Sequence, residues 1–129
     1  MISRERVLAA LRHQEADRVP IDLGAMRSSG IQAIAYNRLK AHLDIEGGQT
    51  VLYDIMQQLA QPEQTIVDRF HLDALPLPRA VIGLDPANPE WKPWRLPDGS
   101  AALVPQALEQ VRREDGGFEI CDDAGHILY

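Results

Sequence analysis

The sequence predicts an α/β fold that opens as a β/α unit and continues into an antiparallel meander. Two patterns carry this expectation. Val19-Pro20-Ile21-Asp22-Leu23-Gly24 alternates apolar and polar positions ahead of a glycine, and a helical apolar pattern then runs over 29–44. From Trp91 the texture changes to short β-prone runs separated by turn residues, Pro97-Asp98-Gly99-Ser100 and Asp122-Asp123-Ala124-Gly125. The expected organisation is therefore 1–90 as the start of a β/α fold and 91–129 as an antiparallel insertion or lid.

In chain order, a helix is expected over 3–13. Ser3 is its N-cap, Glu5 meets the positive end of the helix dipole, and Ile2 with Val7 forms a hydrophobic staple. Val7, Leu8 and Leu11 supply its buried stripe, and His13 closes it in a structural role. Strand 19–23 follows, begun by Pro20, which has no N–H to offer a ladder. Gly24 permits a sharp exit. Ser28 or Ser29 then caps the central helix, whose inward face is Ile31, Ile34, Ala35, Leu39 and Leu43. That helix stops near Gly47-Gly48. In the mixed stretch 51–60, Asp54 is placed to cap a helical turn that presents Gln57 and Gln58. Pro62 suits the first position of a further helix with Ile66, Val67 and Phe70 inward, and His71 ends it in a left-handed conformation. A short second strand is read over 73–78 and a loop over 79–90. Hairpins are expected at 91–104 and 118–129, joined by a charged segment, with Trp91 and Trp94 anchoring the first to the core.

Composition narrows the function. With 129 residues, 45% apolar and 25% charged, the chain has the make-up of a soluble globular domain. No apolar run approaches the roughly 18 residues of a membrane span, and no signal peptide is read at the N-terminus. Single Cys121 forms no internal disulfide and has no neighbouring base, so a cytoplasmic protein is expected. The net charge of −6 argues against a nucleic-acid binder. The charge is uneven: residues 1–42 hold seven Lys and Arg against four Asp and Glu, which favours an anionic small-molecule ligand near the organising strand. Phosphate-binding loops, dinucleotide glycine motifs and paired cysteines are absent from the sequence, so no metal site is expected in this chain.

The candidate site follows from the strand, loop and helix order. Arg27 stands just ahead of a helix start at Ser28, Ser29, Gly30 and Ile31, where free backbone N–H groups and a guanidinium together suit a carboxylate. Asp22 lies at the strand's end and lines the same pocket. Tyr53, Asp54 and Gln57 are candidates for its rim.

The order of motifs carries a resemblance. Ser3-Arg4-Glu5-Arg6-Val7-Leu8-Ala9-Ala10-Leu11, Asp17-Arg18-Val19-Pro20-Ile21-Asp22 and Ser29-Gly30-Ile31 with Tyr36 and Leu39 form the first part of a series. Tyr53-Asp54 with Gln57-Gln58-Leu59-Ala60, and Arg69-Phe70 before Asp73, complete it. The series resembles the N-terminal part of the uroporphyrinogen decarboxylase superfamily, most strongly through residue 78. The Trp91-Lys92-Pro93-Trp94 and Leu96-Pro97-Asp98-Gly99 pattern is similar to an antiparallel insertion in its less characterised, methyltransferase-like members.

The resemblance implies the N-terminal portion of a (β/α)₈ TIM-type barrel with an antiparallel β-hairpin insertion. Such a barrel takes about 250 residues, so the chain is expected to be a fragment, inactive alone. In the decarboxylases a Met-Arg-Gln-Ala-Gly-Arg-Tyr motif holds substrate carboxylates. Here Met26-Arg27-Ser28-Ser29-Gly30 is similar, which implies an anchoring role for Arg27. The motif's second arginine falls at Ile31, and Leu75-Pro76-Leu77-Pro78 stands where a Phe-Ser-Asp segment carries the catalytic aspartate. These departures favour methyl transfer involving a corrinoid over decarboxylation in tetrapyrrole biosynthesis. A non-catalytic remnant binding a ligand or partner is a third possibility. Zinc and a corrinoid belong to the full-length methyltransferase relatives, whose zinc ligands lie far downstream. The implied partners are an anionic small molecule or a corrinoid protein, together with self-association through unpaired barrel surface.

Overall fold

The computed structural model describes residues 1–76, 90–106, 108–115, 118–121 and 125–127. The described chain is mixed α/β: three α-helices and small antiparallel sheets, with no closed barrel among these residues. Among the described residues no helix is long and apolar enough to cross a membrane.

Helix α1 spans Ser3–Leu11. Its N-cap is Ile2 rather than Ser3, and the Glu5 carboxylate accepts the Ile2 N–H at 3.1 Å. The buried positions are Arg6 and Ala9, whereas Leu11 is 72% exposed. The expected stripe is therefore rotated. The reason is electrostatic: Arg6 turns inward to reach Asp17 and Asp73, and this fixes which face of α1 is covered.

Residues 19–23 form no strand. Pro20 has no donor, and both backbone groups of Ile21 are taken by one residue. Its N–H donates to Asp73 Oδ2 at 2.9 Å, and its carbonyl accepts the Asp73 N–H at 2.8 Å. The segment runs extended beside Asp73 without a ladder. Gly24 makes the expected exit with φ +89°, and it packs on Pro62, where a Cβ would come within 3.1 Å of the ring.

A 3-10 turn at Arg27–Ser29 leads into β1 (Ile31–Gln32), and only then does helix α2 begin (Ala33–His42). The helix expected from residue 29 starts four residues late because Ile31 and Gln32 pair with β3 (Leu59–Ala60). The buried face of α2 is Ala33, Tyr36 and Lys40, with Ile34 and Leu43 packed beside it and Ala35 exposed. Strand β2 (Leu52–Asp54) pairs antiparallel with β3 through a bulge, giving the order β1-β3-β2. Residues 51–60 are thus a small hairpin. Its turn is closed by the Gln57 N–H donating to Asp54 Oδ1 at 2.8 Å, so Asp54 caps a turn as expected, between strands instead of in a helix.

Helix α3 spans Gln64–Phe70, with Glu63 as N-cap, so Pro62 lies outside it. Ile66 is fully buried and Phe70 packs against the core. His71 closes the helix in the left-handed region, φ 51°, as expected. Residues 73–76 are not a strand; Leu77 and Pro78, the loop residues 79–89, and residues 122–124 and 128–129 of the expected last hairpin lie outside the described residues.

Strands β4 (Trp91–Arg95) and β5 (Ala101–Pro105) form the expected hairpin on the Pro97–Ser100 turn. The next pairing differs from expectation. The charged segment supplies β6 (Glu109–Arg112), which pairs with β7 (Phe118–Cys121); residues 126–127 add only a bridge from Ile127 to Cys121. The segment expected only to join the two hairpins is itself a strand. Arg113 just beyond β6 reaches Glu119 at 3.2 Å, so its charges support the pairing.

The first hairpin docks on the α/β part. Leu103 N–H donates to the Thr50 carbonyl at 2.8 Å, and Asn37 Nδ2 bonds Ser100 Oγ and the Ala101 carbonyl, each at 3.0 Å. One core results, in which Tyr36, Leu52 and Ile66 meet Leu96, Val104 and Leu108. Trp94 packs against it, while Trp91 is 37% exposed.

Candidate functional site

Two polar nodes hold the frame around the site, and neither was foreseen as such. In the first, Asp73 has a fully covered side chain. It accepts from Arg18 at 2.6 and 3.1 Å, from the Ile21 N–H at 2.9 Å, and from Arg6. Arg6 also donates to Asp17 at 2.6 and 2.8 Å, and the N-terminal ammonium reaches the same carboxylate at 3.1 Å. Burial works against ionisation of Asp73, but the Ile21 N–H, Arg18, Ser3 and Arg6 outweigh it and hold the carboxyl well below the usual range. Arg6, aided by the N-terminus, does the same to Asp17. The signal for this latch was the Asp17-Arg18 and Asp73 pattern, which the resemblance contained without revealing its geometry.

In the second node, Glu63 joins α2 to α3. Its carboxylate takes Lys40 Nζ at 2.7 Å and the Gln49 N–H at 2.6 Å. The Tyr36 hydroxyl donates to it at 3.1 Å and accepts the Glu63 N–H at 2.8 Å. Burial first, then the charge of Glu63, pushes the Tyr36 hydroxyl up to about 12 despite the opposing backbone bond. A lysine on the inward side of α2 was the available clue.

The structure brings several of the candidate residues together. Arg27 opens the 3-10 turn and forms an ion pair from Nε to Asp54 Oδ2. The Arg27 side chain is 57% exposed and that of Asp54 only 1%. Oδ2 is buried and accepts no hydrogen bond, so the contact is one of charge without good N–H alignment. Gly30 lies against the Tyr53 hydroxyl, where a Cβ would come within 2.9 Å of it and 2.6 Å of Leu59 Cδ1. Tyr53 donates weakly to the Met26 carbonyl at 3.5 Å. Burial raises the Tyr53 pKa, the charges of Asp54 and Asp22 add to the rise, and Arg27 opposes it. Tyr53 is therefore a neutral hydroxyl at physiological pH, set among one arginine and two carboxylates.

The expected helix-start seat does not form. Ser28 is exposed, and the Ser29 hydroxyl closes its own turn on the Met26 carbonyl at 3.1 Å. Helix α2 begins beyond them, and its Ala33 N–H donates to the Gln58 carbonyl at 2.8 Å. Those N–H groups were lost to a ligand because the preceding residues paired with β3. Asp22 accepts the Ala25 N–H at 2.8 Å from an exposed position. Gln57 is exposed and contributes its backbone N–H to Asp54. Asp54, expected at the rim, is buried behind Arg27. The centre thus offers an exposed guanidinium fork and a phenolic hydroxyl, which suit a carboxylate.

Two hollows lie elsewhere. One, about 400 Å³, runs between Asn37, Thr50 and the first hairpin. The other, about 560 Å³, is mostly apolar, lined by Leu52, Ile55, Trp94, Val104, Leu108 and Ile120. Among the described residues no group of three His, Cys, Asp or Glu is arranged to hold a metal ion.

No family model, curated protein or solved structure matches this chain.

Proposed function

We propose that this chain is the N-terminal part of a uroporphyrinogen decarboxylase-superfamily enzyme, that it belongs to a (β/α)₈ barrel, and that its Arg27 centre anchors a carboxylate of a small-molecule ligand. The observation that carries this reading is convergence: Asp22, Arg27, Gly30, Tyr53 and Asp54, separated by up to 32 positions, meet at one place. Ile21 and Asp73 lie side by side as neighbouring barrel strands would at their beginnings. Methyl transfer involving a corrinoid protein is preferred to porphyrinogen decarboxylation, because Ile31 replaces the second anchoring arginine and sits half-buried in β1. Exposed Leu11, Val19 and Leu75 support self-association of the isolated chain.

Calorimetric titration with uroporphyrin and with propane-1,2,3-tricarboxylate tests the reading. The small tricarboxylate is expected to bind in an Arg27-dependent way and the porphyrin no more tightly. Porphyrin binding at least about tenfold tighter, roughly 1.4 kcal/mol, would favour the decarboxylase. Binding of either that survives Arg27→Ala unchanged would remove the anchor.

A further inference from the structure

We propose that Asp54 is the positioning residue of the Arg27 site: a buried carboxylate that holds the guanidinium so that its Nη1 and Nη2 edge faces solvent as a fork for one carboxylate. The inference rests on the reading of Arg27 as an anion anchor. It also changes the role of Asp54, since a side chain 1% exposed cannot touch a ligand.

Asp54 is itself fixed from three directions. The bulge in β2 between Leu52 and Asp54 sets its backbone, the Gln57 N–H occupies Oδ1 at 2.8 Å, and neighbouring structure buries Oδ2. The remaining charge is met by Arg27 Nε. Among the described residues Nη1 and Nη2 donate to nothing, and the side chain is more than half exposed. An arginine paired by charge on its Nε side keeps its two Nη donors free, which is the edge that matches a carboxylate in two parallel bonds. The ion pair also restricts its rotamers before the ligand arrives.

Charge adds a second consequence. Arg27 arrives already balanced by Asp54, and exposed Asp22 stands nearby. Net attraction for an anion is therefore small, and affinity depends on fork geometry. The site should prefer a planar carboxylate to a spherical anion, and that preference should depend on Asp54.

The test is an NMR titration of the whole chain, following the Arg27 Nε–H signal, with propane-1,2,3-tricarboxylate and with iodide. Asp54→Asn keeps an acceptor for the Gln57 N–H and removes the charge that holds Arg27. It is expected to weaken tricarboxylate binding about five- to tenfold, because the released guanidinium regains its rotamers, to leave iodide within about twofold, and to speed Nε–H exchange, because the carboxylate charge that repels hydroxide beside Nε is gone. Arg27→Lys retains a cation over Asp54 and is expected to keep the unfolding midpoint while losing the tricarboxylate preference. Unchanged or tighter tricarboxylate binding in Asp54→Asn would overturn the proposal, since Asp54 would then be neutral to the ligand or its competitor. If the wild-type chain binds neither probe, the anion-anchor reading fails, and the exchange rate alone decides whether Asp54 holds Arg27.

Discussion

Asp73 and Asp54 are both buried aspartates that meet arginine, yet they are built differently. Asp73 is met from several sides: two arginines and a backbone N–H converge on it, and Arg6 is tied in turn to Asp17. Asp54 has one oxygen in a turn and the other against a single, largely exposed arginine. Burying a carboxylate is tolerable where donors saturate it, and such a cluster then acts as a rivet. Where one donor serves and keeps its other face in water, the pair remains open to a third partner. The difference separates a structural node from a candidate site more clearly than residue type does.

The largest expected effect breaks the rivet. Asp73→Asn leaves Arg6 and Arg18 without their shared carboxylate and should cost about 3–5 kcal/mol, as for removal of one member of a buried ion pair. Urea unfolding measures it; a loss below about 1 kcal/mol would show that the latch is no more than a surface contact.

Acid should have the same target. Asp73 and Asp17 are held below the ordinary carboxylate range, so their contribution is complete above the unfolded value of about 3.9. It is lost as pH falls through the lower folded values. Thermal unfolding between pH 7 and pH 2 should show this fall, and Asp73→Asn should flatten it.

At the open pair, Arg27→Ala should weaken carboxylate binding by about 1.5–3 kcal/mol, the range for a charge-assisted hydrogen bond. Calorimetry on both proteins checks this, and equal affinities would move the site elsewhere. Gly30→Ala sharpens the same side. Its Cβ would meet Leu59 Cδ1 at 2.6 Å and the Tyr53 hydroxyl at 2.9 Å, and overpacking of this kind costs about 1–2 kcal/mol. Denaturant unfolding, with the Tyr53 ring signals as reporter, would register both the cost and the displacement. The smallest effect is expected at Arg113, 53% exposed beside Asp115 and Glu119. Arg113→Ala should change stability by no more than about 0.5 kcal/mol in the same assay, marking the floor for an exposed pair.

The sequence by itself determined the local elements whose signals are short-range. The helix from Ser3, the left-handed His71, the exit at Gly24 and the Asp98-Gly99 hairpin all follow from neighbouring residues, through capping, backbone sterics and turn geometry. Candidate residues were legible as well: Asp22, Arg27 and Gly30 from loop chemistry, and Tyr53, Asp54 and Gln57 from the resemblance and a turn pattern. Tertiary structure decided where those residues lie and what they contact. Asp73 took the backbone groups of Ile21 and left 19–23 without a ladder; Ile31 and Gln32 paired with β3 and delayed α2 beyond Ser28 and Ser29. Asp54 came to lie buried against an exposed Arg27, and Arg6 and Lys40 turned inward because distant carboxylates awaited them. Periodicity marks which positions are apolar, but a buried charge follows its partner, and partners at 23 and 67 positions' distance are brought together only by the folded chain.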